Sequence, residues 1–223
     1  MTKAKRPNRK NPFMTRSTAR ALENPVTRER TIDLLRGIVA FGKETERGCA
    51  LVVSEWASDF LDKLLRAQFD SEGLSKREAD RLLKVFNAPI GSFAGRIAIC
   101  RAFGLISPPT HDALTAIREI RNHCAHSRHL VSLNDTKIGQ SVRVLQDFTK
   151  LAGQRHDGKD KRPLLVAASA LAMIEIGKRT LRIRIAHARR QRRIEAASQE
   201  MTAKKRSNTK PISRRAKGRP KGQ

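Results

Sequence analysis

The 223-residue chain carries 47 Lys and Arg against 21 Asp and Glu, a formal net charge of +26. Its three cysteines show no CxxC spacing, which excludes a disulfide framework and a zinc site. The longest apolar run, Leu164–Ile174, broken only by Ser169, is too short to span a bilayer.

The charge is unevenly placed: residues 1–30 carry +7, residues 31–177 carry +4 and residues 178–223 carry +15. A nearly balanced domain therefore sits between two basic ends, and ends of this kind bind polyanions by counterion release. Nothing apolar follows the basic N-terminus, which reads against a secretory signal and for a cytoplasmic protein. No cofactor and no metal is expected.

In chain order, residues 1–24 read as a disordered basic arm. Helical periodicity starts after Pro25, with Thr27 as N-cap and a stripe of Ile32, Leu35, Ile38 and Val39 running to about Gly42. The next helix spans roughly Glu46–Phe69. Ala50, Val53, Ala57, Phe60, Leu61, Leu64 and Leu65 form its apolar face, and Glu55, Asp59, Asp62 and Arg66 its polar face. Ser75-Lys76-Arg77-Glu78 is a capping box opening a short helix to near Phe86. Pro89–Gly91 breaks the chain, and Ser92 caps a helix to about Phe103, stopped by Gly104.

These two short helices have the outline of a helix-turn-helix, yet the second offers only Ser92, Arg96 and Arg101 to a groove. Phe93, Ile97 and Ile99 read as core, and Gly95 as a close helix–helix contact. Pro108-Pro109-Thr110 predicts a loop ahead of the segment Ala113–His126. A further helix is expected over Asp135–Lys150, a polar loop over Gly153–Lys161, and a long helix from Pro163, apolar to Ile176 and basic to about Arg193. No period-two alternation persists, so the fold class is all-α: one bundle of about seven helices with basic tails at both ends. The domains are a basic arm (1–24), a helical domain (25–177) and a basic helix extension with its tail (178–223).

The segment Ala113–His126 concentrates the chemistry. Ala113, Leu114, Ile117, Ile120 and Cys124 share one helical face, and Arg121 falls inside it. An arginine there snorkels outward or is buried against an acceptor, because it cannot shed its proton. The structural expectation is an ion pair from Arg121 to Glu46 or Glu55 of the long helix, with Asn122 and His126 bonded to loop backbone. His123 and His129 have the spacing of neither a zinc pair nor a triad and receive no role.

Three stretches, ERGCALVVSEWASDFLDKLL (46–65), APIGSFAGRIAICRAFGLIS (88–107) and IREIRNHCAH (117–126), together resemble the mannitol operon repressor family of bacteria. The resemblance covers about residues 30–175. It implies an all-helical domain and a transcriptional regulator, a repressor, acting by binding. Arg121-Asn122 followed by His126 also resembles the Arg-x4-His motif of the HEPN superfamily of helical ribonucleases and nucleotide-binding domains. That likeness implies an alternative function, a metal-independent ribonuclease. His126 would be its general acid or base, Arg121 would stabilise phosphate charge, and Asn122 would orient a phosphate oxygen or the histidine. Arg121 and His126 lie about 140° apart on an ideal helix, so this chemistry needs a homodimer that joins two motifs. A second alternative is a protein-interaction module docking onto another regulator.

Nucleic-acid contact, to DNA in preference to RNA, is expected mainly at the basic ends. The candidates are Lys178, Arg179, Arg182, Arg189, Arg190, Arg192 and Arg193 on the helix and Arg214, Arg215, Lys217, Gly218, Arg219, Pro220 and Lys221 in the tail. Lys217–Lys221 resembles an AT-hook, whose Gly-Arg-Pro centre lies in a narrow A·T minor groove, although this chain has Lys217 where that pattern has arginine.

Overall fold

A computed structural model describes residues 44–127 and 131–208, with side chains as far as Lys204. Six α-helices and one short 3-10 turn make up this part of the chain, with no strand among the described residues. They are α1 (Glu46–Ser71), α2 (Lys76–Leu83), α3 (Phe93–Ala102), α4 (Pro108–His126), α5 (Gly139–Leu151) and α6 (Arg162–Asn208), with the 3-10 turn at Thr136–Ile138. The fold is all-α, as expected. The seventh expected helix, ending near Gly42, lies outside the described residues, as do the arm 1–24 and the tail from residue 209.

Helices α1 and α6 form the spine and run parallel. Arg162 at the head of α6 donates to the carbonyl of Glu44 (2.8 Å), just before α1. Midway, a Cβ on Gly177 would lie 3.9 Å from the Phe60 ring. At the far end His187 Nε2 is 3.9 Å from Asp70 Oδ2. The seam between these points holds Val53, Ala57, Leu61, Leu64 and Leu65 of α1 with Leu164, Leu165, Ala168, Ala172 and Ile176 of α6, all buried. Helices α3, α4 and α5 close the other side through Ile97, Leu114, Ile117, Ile120 and Leu145. Fully burying each such leucine or isoleucine is worth about 1.5–3 kcal/mol, so this core is the main stabilising term.

The capping signals work as read. Ser75 and Glu78 form the reciprocal capping box, and the Ser75 bonds hold the Glu78 carboxyl below its ordinary value. Ser92 accepts from the amide of Gly95. Gly104 takes φ +61° at the end of α3, a left-handed geometry that suits glycine.

Four local expectations need correction. Pro108 and Pro109 are the first two residues of α4, not a loop before it. Proline costs nothing where helical amides have no partner, and Ser107 caps the helix. Glu175 of α6 completes that end, accepting from the Ser107 amide (3.1 Å) and the Thr110 hydroxyl. Helix α2 stops at Leu83, three residues short of Phe86: Lys84 already leaves helical geometry at φ −129°, and Asn87, at φ +59°, turns the chain beyond it. Gly95 packs against its own preceding turn, at Ser92, Ile90 and Pro89, rather than against a second helix.

The fourth correction concerns Asp62, assigned to a solvated face. It is buried and accepts from Arg66 Nε at 2.7 Å. Arg66 also reaches Asp80 of α2 at 2.8 Å, and Arg96 of α3 lies 3.6 Å from Asp62. Arg96 donates to Ser58 and to the carbonyl of Leu83 as well. Two carboxylates and two guanidiniums thus tie α1, α2 and α3 together. A buried charge is tolerated only with such partners.

All three cysteines are buried and free. Burial pushes the Cys49 thiol up to about 11 and Cys100 to about 12, and raises Cys124 in the same direction. The native state therefore holds these protons after the unfolded chain has released them, so stability falls as pH rises from about 9 toward 12. Urea unfolding midpoints across that range should decline, and replacing Cys100 with Ala should flatten the decline. Removing the Asp62 carboxylate leaves the Arg66 and Arg96 charges short of a partner. Asp62→Ala should cost about 3 kcal/mol in urea unfolding.

Candidate functional site

Helix α4 runs unbroken to His126, with Ser127 as its C-cap. The Arg121 guanidinium is half-buried and donates to the neighbouring Asn122 Oδ1 at 3.2 Å. The expected ion pair with Glu46 or Glu55 is not formed among the described residues. Glu46 Oε2 accepts instead from the backbone amide of Leu133 at 2.9 Å, and Glu55 is exposed. The α1–α4 tie is made by other atoms: Arg47 donates to the carbonyl of Ala125 at 3.2 Å, satisfying the α4 C-terminus. Sequence periodicity placed the arginine on a half-buried face, but the acceptors expected for it, Glu46 and Glu55, are not its partners, since a helical stripe carries no information on partner rotamers.

His126 is exposed at the helix end, while Asn122 is half-buried. The pair shares a face at i and i+4. Arg121 stays about 140° away from His126 around the regular helix, so a single chain does not bring this pair into one site. The histidine given no role, His123, has a definite one. Its Nε2 lies 3.0 Å from Asp135 Oδ2, while Asp135 Oδ1 accepts from the Lys137 amide at 3.0 Å. The Lys137 amide first, and His123 second, hold the Asp135 carboxyl below its ordinary value. Asp135 is thus a hinge pin joining α4 to the turn before α5. The signal for it was the Asp-Thr-Lys cap at residues 135–137, not the histidine spacing.

The basic extension is the other candidate. Thr180 is buried and Ile183 and His187 are half-buried, whereas every described side chain from Ala188 to Lys204 is exposed. The helix leaves the bundle about ten residues later than the boundary expected at 177. Lys178, Arg179, Arg182, Arg184, Arg189, Arg190, Arg192 and Arg193 are all exposed. At about 100° per residue, Lys178, Arg179, Arg182, Arg189 and Arg193 fall within an arc of about 100° on the side turned from the core. Arg184, Arg190 and Arg192 lie outside that arc, so the eight cations together spread broadly around the helix, as the sequence suggests. Only Glu195 and Glu200 oppose these charges up to Asn208. Arg214, Arg215 and Lys217–Lys221, including the AT-hook-like stretch, lie outside the described residues.

Helix α3 is part of the bundle: Ile97 and Cys100 are buried and Arg96 is engaged with Ser58 and Leu83. Its exposed residues, Ala98, Arg101 and Ala102, offer a groove a single cation. The α2–α3 loop instead borders a cleft of about 470 Å³ lined by Leu83, Lys84, Val85, Asn87, Ala88, Gly91, Ser92 and Arg96. Its two titratable lining residues, Lys84 and Arg96, are both cations. No group of three or more His, Cys, Asp or Glu side chains among the described residues could hold a metal ion.

His126→Ala removes an exposed side chain and should change the unfolding free energy by less than about 0.5 kcal/mol. Glu46→Ala orphans the amide of the buried Leu133 and should cost about 1.5 kcal/mol. Urea denaturation of the two variants checks the contrast.

Comparisons of the chain with family models, with curated proteins and with solved structures find no match.

Proposed function

We propose that this protein is a nucleic-acid-binding regulator of the mannitol-repressor type, acting by binding rather than catalysis, with its helical bundle as scaffold and its basic ends as the contact. DNA is the polyanion favoured. The observation that supports this reading most is α6, one helix that starts in the core and ends in solvent. Its last 21 residues extend about 30 Å beyond the bundle. A bare helix of that length gains little from packing, so its cations are available to phosphates rather than to internal acids. Neutralising several phosphates releases counterions and produces affinity that falls steeply with salt.

The ribonuclease reading keeps one observation in its favour: His126 is exposed and, among the described residues, Arg121 bonds to Asn122 beside it, so neither is consumed there by a tie to another helix. It requires a homodimer in which Arg121 of one chain meets His126 of the other. RNA cleavage abolished by His126→Ala with unfolding unchanged would favour it over the binding reading.

The binding reading is tested with the full chain and with a chain lacking residues 1–24 and 188–223. The described part of that deletion, 188–204, has no buried side chain, so the bundle is left intact. Duplex DNA affinity measured from low to high salt should give a steep log–log slope for the full chain. The trimmed chain should lose most of that slope and at least about tenfold in affinity at 0.1 M salt. Unchanged affinity and slope after trimming would place binding on the core and overturn the reading.

A further inference from the structure

Phe86 is 92% exposed, the most exposed of the large hydrophobic side chains among the described residues, and the exposed Val85 adjoins it. A ring so placed on a floppy tip would mean little, but this loop is braced throughout. The amide of Ala88 donates to Val85 O at 2.8 Å, Ile90 to Leu82 O at 3.0 Å and Gly91 to Ala88 O at 3.0 Å. Arg96, from the buried charge cluster, donates to Leu83 O at the base of the loop. Asn87, with φ +59°, turns the chain directly after Phe86. The fold braces the backbone that carries this aromatic ring, and the ring itself stands in water.

In the chain the ring comes two residues after a basic stripe. Arg77 and Arg81 share one face of α2, about 40° apart, Lys84 is the C-cap of that helix, and all three are exposed. Of the acids of the same helix, Asp80 pairs with Arg66, while Glu78 closes the capping box with Ser75 and also feels the charge of Arg81. Lys84 is also on the cleft wall beside Arg96. Single-stranded nucleic acid is recognised by this combination, a cationic track for phosphates and an aromatic face for an unstacked base. A duplex offers phosphates but keeps its bases stacked on one another.

We propose that the Arg77–Arg81–Lys84 face and Phe86 form a binding site for single-stranded nucleic acid, with an unpaired base stacked on the Phe86 ring. This rests on the nucleic-acid reading above but assigns a second contact, on the core, with a different physical basis. The basic ends act through salt-sensitive charge, whereas stacking survives salt.

The test uses the full chain with an oligo-dT single strand and a blunt duplex of equal length. Phe86→Ala, at a site making almost no packing contact, should weaken single-strand binding by about tenfold and duplex binding by less than about twofold. Phe86→Trp should restore the affinity, with its indole emission quenched when the single strand binds. Arg81→Gln together with Lys84→Gln should reduce the single-strand salt slope by about one to one and a half. Unchanged single-strand affinity in Phe86→Ala overturns the proposal. So does conversion of an oligomer to monomer by Phe86→Ala, seen by sedimentation, with oligonucleotide affinity unchanged, because the ring then packs on protein. Loss of duplex affinity on trimming the ends, with single-strand affinity unchanged in Phe86→Ala, overturns this proposal alone. Dependence on Phe86 with no effect of trimming the ends overturns the other alone.

Discussion

The parallel packing of α1 on α6 is the constraint from which the rest follows. Two neighbouring helices joined by a short loop must run antiparallel, so a parallel pair needs a connection that returns the chain to its starting end. The chain between Ser71 and Arg162 is that connection, and it contains α2, α3, α4 and α5. They fill the side of the seam left open by α1 and α6. Polar anchors at the corners hold the return path: Arg162 on Glu44, Glu175 on the head of α4, and Arg47 on its tail. Each joins residues more than sixty positions apart, which makes the fold dependent on long-range closure rather than on local helix propensity.

Local signals were legible where the physics is local. The α1 stripe, the Ser75 capping box, the Ser92 cap and the Gly104 stop depend on residues within a turn or two, and the structure has them where periodicity puts them. Pro108 and Pro109 misled because proline marks a helix start as readily as a loop, and only the Ser107 cap decides between them. Asp62 misled for a different reason. Its position on the helical wheel is polar in pattern, but its burial comes from α3, whose Arg96 arrives from 34 positions away. The same limit applied to Arg121: the wheel located it, and its bond to Asn122 depended on a rotamer that no pattern encodes.

The separation of charge along the sequence becomes a separation in space. The bundle keeps its own acids and bases largely matched, in the cluster of Asp62, Asp80, Arg66 and Arg96 and in pairs such as His123 with Asp135. The surplus sits on a helix outside it. This lets the core be stable at a net charge near neutrality while the protein as a whole is strongly cationic.

Because α6 is one uninterrupted helix, its outer half has no rotational freedom of its own. No glycine or proline occurs between Gly177 and Asn208, so each cation stands at an angle fixed by the leucines and alanines packed at the other end. Direction, as well as charge, is therefore a property of this extension. One residue inserted near Ala188 would leave composition, length and core almost unchanged, yet would turn the arc of Arg189 and Arg193 by about 100°. The basic face is aimed by the core, in the way a key's teeth are aimed by its bow.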